Sequence, residues 1–366
     1  MKALGIILAG GGSERMEILA RRRAISAMPV AGAYRSVDFA LSNMTNSNIN
    51  TVAVVTQYSS RSLNEHLSAP SWWGFGRKQG GLFLLNPTIT QENKSWYRGT
   101  GDALIQNLDF LKQRHEPYVI IASGDGVYKM DFNKVLDFHM ERDAEITVVC
   151  TRLGENDDTT RFGVLELDDQ QRIIKWSEKR LGAVGGYISC GIYVVRRRHL
   201  IRLLEDCKRE EKYNFVQDVI LRHVENRKTI AYIHDGYWCN IASVPSYYAC
   251  NMDFLDPALR KEFFLEYPVI HSRVDDNPPA KFNEEAQVTN SLLGGGAIIN
   301  GRVENSVIFK KVYVGNNSVV RGCILLDDVY VDDGVVLENC IVEKHVRIEA
   351  GSIIKGAPND IRIITE

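Results

Sequence analysis

The chain carries almost no net charge: among its 366 residues, 44 lysines and arginines stand against 46 aspartates and glutamates, leaving −2 at neutral pH. A field that weak does not mark a nucleic-acid binder, whose surface needs a clustered positive excess. Long apolar runs are missing too. The longest early one, Ala3 to Ala9, falls far short of the roughly 20 residues a membrane span requires. It runs straight into Gly10-Gly11-Gly12 with no small-residue cleavage pattern, which argues against a signal peptide and predicts a buried strand. The seven cysteines (Cys150, Cys190, Cys207, Cys239, Cys250, Cys323 and Cys340) are odd in number and include no CxxC pair. Neither a zinc site nor a disulfide framework is expected, and a reducing, cytoplasmic compartment is.

What is present is ordinary soluble composition, 45% apolar and 25% charged, in a chain too long for one typical core. Short β-branched runs recur at Leu4–Leu8, Thr51–Thr56, Tyr118–Ala122, Ile146–Cys150, Gly191–Val195 and Thr229–Ile233. Amphipathic segments lie between them: Asp102–Arg114, with Ala103, Leu104, Leu108 and Leu111 on one face, then Lys134–Arg142 and Asn214–Glu225. This alternation predicts an α/β domain over residues 1–255 with a mostly parallel sheet, and ligands at the carboxyl ends of its strands. Residues 256–282, charged and carrying Pro278-Pro279, read as a linker.

Residues 283–366 have a different period. Val303, Val320 and Leu337 recur every 17 residues, each opening a similar hexapeptide, and Val312/Val314, Val329/Val331 and Val346/Ile348 keep the same step. Gly334 and Gly351 keep it at a corner. Coils that bury their apolar side only against the next coil form a solenoid, so a left-handed parallel β-helix is expected, with an antiparallel β-sandwich as the alternative. Cys323 and Cys340 then occupy equivalent interior positions of adjacent coils.

Four features carry candidate chemistry, each with a plainer structural reading. Gly10-Gly11-Gly12-Ser13-Glu14-Arg15 follows the first strand; its backbone N–H groups and the Arg15 charge suit phosphate oxygens, or the glycines form only a tight turn. The loop is neither a Walker sequence nor GxGxxG. Tyr97-Arg98-Gly99-Thr100-Gly101-Asp102 opens a helix and suits a base or an anion, or Asp102 merely caps it. Ser123-Gly124-Asp125-Gly126 places an aspartate just past a strand, where Mg²⁺ is commonly held or a turn capped. In Trp176-Ser177-Glu178-Lys179 the lysine suits a phosphate and the glutamate a sugar hydroxyl, unless the pair is simply solvated.

With Tyr34-Arg35-Ser36-Val37-Asp38-Phe39, Thr56-Gln57-Tyr58 and Ser189-Cys190-Gly191-Ile192-Tyr193, these motifs resemble the glucose-1-phosphate adenylyltransferase (ADP-glucose pyrophosphorylase) family along nearly the whole chain. The resemblance implies a Rossmann-like, dinucleotide-fold nucleotidyltransferase domain followed by the β-helix. It also implies a role in bacterial glycogen synthesis, joining ATP and glucose 1-phosphate into ADP-glucose and pyrophosphate with Mg²⁺. By motif, Gly10, Gly11, Arg15, Gln57, Gly99 and Thr100 would face the nucleotide. Tyr97, Gly163, Glu178, Lys179 and Ser189 would line the sugar-phosphate pocket, and Asp125 would hold the metal.

The sequence departs from the family pattern at the chemistry. Ser13 replaces a loop glycine, Ile25 a lysine, Gly126 the histidine of G-D-H, and Asn240, in Trp238-Cys239-Asn240-Ile241, the second metal-holding carboxylate. This combination resembles a GlgD-type regulatory subunit, which accompanies a GlgC-type catalytic subunit in a mixed tetramer and raises its activity. The alternatives are a weakly active adenylyltransferase and a nucleotide or sugar-phosphate sensor without turnover. An acyltransferase, another user of the β-helix, is disfavoured because only His345 lies in the repeat.

Overall fold

The computed structural model describes residues 3–12, 14–76, 80–88, 96–154, 157–224 and 228–365. They fall into two compact units, one of residues 1–12 and 39–238 and one of residues 13–38 and 239–366.

In the first unit, the β-branched runs supply six strands of a nine-stranded sheet. Ala3–Leu8 pairs in parallel with Thr51–Val55 on one side and Tyr118–Ser123 on the other, and Gly81–Leu85 continues the parallel run beyond Thr51–Val55. Tyr187–Arg196 lies antiparallel between Tyr118–Ser123 and Ile146–Arg152, and Thr229–Ile233 runs parallel to the latter. The sheet is thus mixed, one long antiparallel strand interrupting the parallel order. Gly163–Leu167 and Ile173–Glu178 form an antiparallel pair beside the first half of Tyr187–Arg196. Glu166, Lys175 and Glu178 break the apolar pattern of these two strands, which is why hydrophobicity does not announce them.

Helices cover the sheet. Ala103, Leu104, Leu108 and Leu111 all enter its core, on the face that the 3.6-residue period predicts. Their segment is two helices rather than one, Thr100–Gln106 and Leu108–Lys112, broken at Asn107. The Asn107 amide donates to the Ala103 carbonyl at 2.8 Å and to the Tyr97 hydroxyl at 2.9 Å, favouring a side-chain bond over continued helix. Of the segment Asn214–Glu225, Phe215–Leu221 is a wide π-type turn followed by Arg222–Val224, and Glu225 lies outside the described residues.

His139, on the helix Phe132–Glu141, is almost wholly buried, with Nδ1 2.7 Å from the Thr147 hydroxyl and Nε2 without a partner. Burial, aided by the nearby Arg196 charge and opposed by Asp143, pushes the imidazole down to about 4. The unfolded chain takes up this proton near pH 6.5 and the folded protein near pH 4, so stability present above pH 6.5 drains away as pH falls through that window. The expected loss is on the order of 3 kcal/mol. Urea unfolding midpoints from pH 7.5 to 4 should show it, and His139→Leu should remove this component of the slope.

In the second unit, the 17-residue step becomes three sheets of five parallel strands, the arrangement of a left-handed parallel β-helix. Val303, Val320, Leu337 and Ile354 stand in register, as do Val314, Val331 and Ile348. The parallel pairing rules out the sandwich. Three columns of positive-φ residues turn the corners: Asn305, Gly322 and Asn339; Lys311, Asp328 and His345; Asn317, Gly334 and Gly351. Cys323 and Cys340 are free thiols buried inside the stack.

Outside the coil, Glu304, Arg321, Glu338 and Lys355 form an alternating ladder, with successive contacts of 2.8, 3.2 and 3.1 Å. On the third sheet the outward Val307, Ile324 and Ile341 are buried as well. The helix Val244–Asp253 lies beside this sheet, its Tyr248 hydroxyl donating to the Gly322 carbonyl at 2.7 Å and its Tyr247 hydroxyl to the Pro29 carbonyl at 2.8 Å. Leu337 is fully buried between neighbouring coils, so Leu337→Ala should cost about 2–5 kcal/mol in chemical denaturation by leaving a cavity.

Candidate functional site

The strand register brings the first group of candidates together. Leu8 is level with Val55 and with Ser123, and the pairing extends through Ala9 N–H to the Val55 carbonyl (2.8 Å) and Gly124 N–H to the Leu8 carbonyl (3.0 Å). Gly10, Gln57 and Asp125 therefore leave three adjacent strands at one end of the sheet. A Cβ at Gly10 would sit 3.2 Å from the Gln57 Cβ, whereas Gly11 and Gly12 border open space. Ser13 lies outside the described residues.

Gln57 is buried, with Nε2 donating to the Tyr97 carbonyl at 3.2 Å and Oε1 left without a protein partner. Tyr97 is packed inside and takes the Asn107 amide at its hydroxyl; burial, the largest influence, raises its phenol above the ordinary value.

Gly99 and Thr100 serve a contact within the protein. The Tyr213 carbonyl accepts from Gly101 N–H at 2.8 Å and Asp102 N–H at 3.2 Å, and Thr100 Oγ1 accepts from Phe215 N–H at 3.3 Å. A Cβ on Gly99 would fall 2.4 Å from that carbonyl oxygen. Two N–H groups of the first turn are thus taken by the chain itself. Asp102, fully buried, accepts from Arg98 N–H at 2.8 Å and the Gln106 amide at 2.9 Å, while the Arg98 guanidinium lies 3.6 Å from the centre of the Tyr213 ring.

Asp125 accepts a hydrogen bond from the Ser123 hydroxyl. Next to it, a Cβ at Gly126 would meet the Tyr128 ring at 3.1 Å, so that ring closely lines the place where the family's histidine would begin. Ser189 lies at a bulge in the neighbouring strand, its Oγ accepting from Gly191 N–H at 3.3 Å; Gly191 (φ 69°) abuts Ser123.

Of the sugar-side candidates, Gly163, Glu178 and Lys179 lie together. Glu178 pairs with Gly163 across the two strands, and Lys179, at φ 50°, donates its N–H to the Phe162 carbonyl at 2.9 Å. Trp176, which the sequence reading passed over as a functional residue, donates Nε1–H to Glu178 Oε2 at 2.9 Å. Its one sequence signal is an aromatic ring two residues before that glutamate, on the same strand face.

Arg15, Ile25 and Asn240 belong to the second unit. Arg15 is exposed on the helical turn Glu14–Ala20, whose Met16 and Leu19 are buried. Ile25 is an interior side chain. In the run Arg21-Arg22-Arg23 only the first two are exposed; Arg23 is buried and paired with Glu343. Asn240 Oδ1 accepts from Ala242 N–H at 3.0 Å, closing a turn of its own.

A glycine-rich loop at the carboxyl ends of parallel strands, in a chain that continues into a hexapeptide β-helix, is the architecture of a class of nucleotidyltransferases. The Nucleotidyl transferase family model matches residues 4–256, and the GlmU-like, C-terminal hexapeptide model matches residues 278–360. The chain is 37% identical to the glucose-1-phosphate adenylyltransferase of Clostridium acetobutylicum, over 87% of this chain and 84% of that protein. It is 34% identical to those of Geobacillus stearothermophilus and Thermosipho africanus, over 87% of this chain and 83% and 77% of theirs. The chain belongs to the glucose-1-phosphate adenylyltransferase family. Among the described residues no helix is long and apolar enough to cross a membrane.

Nucleotidyltransferases of this kind normally use a divalent metal, held by one or two carboxylates together with substrate phosphates. In the first unit Asp125 would offer such a carboxylate, its side chain bonded to the Ser123 hydroxyl, and among the described residues no group of three or more acidic, histidine or cysteine side chains is placed to hold a metal ion. The close approach of Tyr213 gives a test of the Gly99 motif. Gly99→Ala should destabilise the ligand-free protein by about 1–3 kcal/mol through overpacking; an unchanged melting temperature would return the glycine to ligand contact alone.

Proposed function

We propose that this chain is a GlgD-type regulatory subunit with little adenylyl transfer of its own, and that it raises the activity of a GlgC-type catalytic subunit in a mixed tetramer. The reaction served is ATP and glucose 1-phosphate to ADP-glucose and pyrophosphate, in bacterial glycogen synthesis. The observation that carries the reading is Asn240, which stands where the family holds a carboxylate and whose oxygen accepts from Ala242 N–H. Removing one stabiliser of transition-state charge typically lowers a rate about 10²–10³-fold. Ile25, buried where the family has a lysine, points the same way. Activation of the partner requires subunit contacts that differ in free energy between its competent and incompetent states; a tenfold effect needs about 1.4 kcal/mol.

A second reading, a slow adenylyltransferase, is favoured by the retention of Asp125, Glu178 and Lys179. Pyrophosphate release with Mg²⁺, ATP and glucose 1-phosphate separates the two. The expected result is turnover at least about a hundredfold below the catalytic paralogue, and faster paralogue turnover once this chain is added. Rapid ADP-glucose synthesis by the lone chain would sink the regulatory reading. Ligand binding with neither turnover nor activation would favour the sensor. Asn240→Asp alone should raise metal-dependent turnover.

A further inference from the structure

We propose that Trp176 is a positioning residue for sugar recognition, a role resting on the reading of Gly163, Glu178 and Lys179 as the sugar-phosphate pocket. The indole Nε1–H donates to Glu178 Oε2 at 2.9 Å and so fixes the plane of the carboxylate, leaving Oε1 to accept from a sugar hydroxyl. The indole is itself held by Gly163. A Cβ there would fall 2.4 Å from Nε1, 2.6 Å from Cε2 and 2.7 Å from Cζ2, so only glycine admits the ring. Gly163 thus acts on the pocket through Trp176.

The following turn is fixed separately. Lys179 adopts a left-handed backbone, its N–H is bonded to the Phe162 carbonyl, and the Phe162 ring packs edge-on to Trp238 with centroids 5.5 Å apart. The indole orients the group that would recognise the sugar, and the Phe162 turn fixes the group that would take the phosphate. Loss of the indole N–H should therefore weaken sugar recognition and leave phosphate binding in place.

Calorimetric titration of the full chain, with glucose 1-phosphate and inorganic phosphate as separate probes, tests this division. Trp176→Phe keeps an aromatic ring and removes the donor. It should weaken glucose 1-phosphate about tenfold, as loss of a charge-assisted bond does, and change phosphate less than about twofold. Gly163→Ala, which displaces the indole, should reproduce the selective loss, with melting temperatures reporting whether each variant is folded. If the unmodified chain binds glucose 1-phosphate no more tightly than phosphate, the sugar-phosphate pocket falls and this role with it. If the unmodified chain discriminates and Trp176→Phe discriminates equally well, only the role of Trp176 is overturned. An equal loss of both probes in Trp176→Phe assigns the indole to packing alone and also overturns it.

Discussion

Backbone hydrogen bonding on both sides of Ala3–Leu8 brings Leu8, Val55 and Ser123 level, and the loops that leave those residues inherit that alignment. Gly10, Gln57 and Asp125 are near one another for this reason, although they are far apart in sequence. A slip of one residue in either pairing would turn the buried sides of these strands outward, so the packed core and the arrangement of loops are enforced together. The antiparallel strand Tyr187–Arg196 extends the same constraint to Ser189 and Gly191.

Within that frame, several glycines of the family motifs accommodate parts of the protein. Gly99 admits the Tyr213 carbonyl and Gly163 admits an indole. A missing side chain makes room without regard to what enters, and here the entrants bring polar consequences. Tyr213 consumes two N–H groups of a helical turn, and Trp176 restrains a carboxylate. Gly11 and Gly12, by contrast, border open space and admit no part of the protein.

The solenoid was legible in the sequence because each coil touches only its neighbours, so one spatial relation is written repeatedly at one interval. The central parallel strands of the α/β unit were legible because burial on both faces demands continuous apolar runs, whereas the parallel edge strand Gly81–Leu85, only half-buried and without a β-branched residue, was not. The hairpin pair Gly163–Leu167 and Ile173–Glu178 was not, since charged residues interrupt its pattern. The break at Asn107 depends on a bond to Tyr97, ten residues away, and the occupation of the Thr100 turn depends on Tyr213, more than a hundred residues away; neither leaves a local trace. Asn240 is conspicuous only against a family pattern, whereas the bond to Ala242 required coordinates.

Nearest-neighbour stacking also governs how the β-helical half can change in evolution. Gain or loss of one whole turn preserves every remaining interior column, while an indel of arbitrary size within a strand rotates side chains from inside to outside. Extra residues survive where they bulge from a corner, as near the last coil, where Cys340–Val342 pairs with Arg362–Ile364 and the intervening excursion closes on itself between Ala357 and Asp360. Variation in the length of this half is therefore quantised, and duplication or deletion of complete repeats is the path that leaves its interior intact.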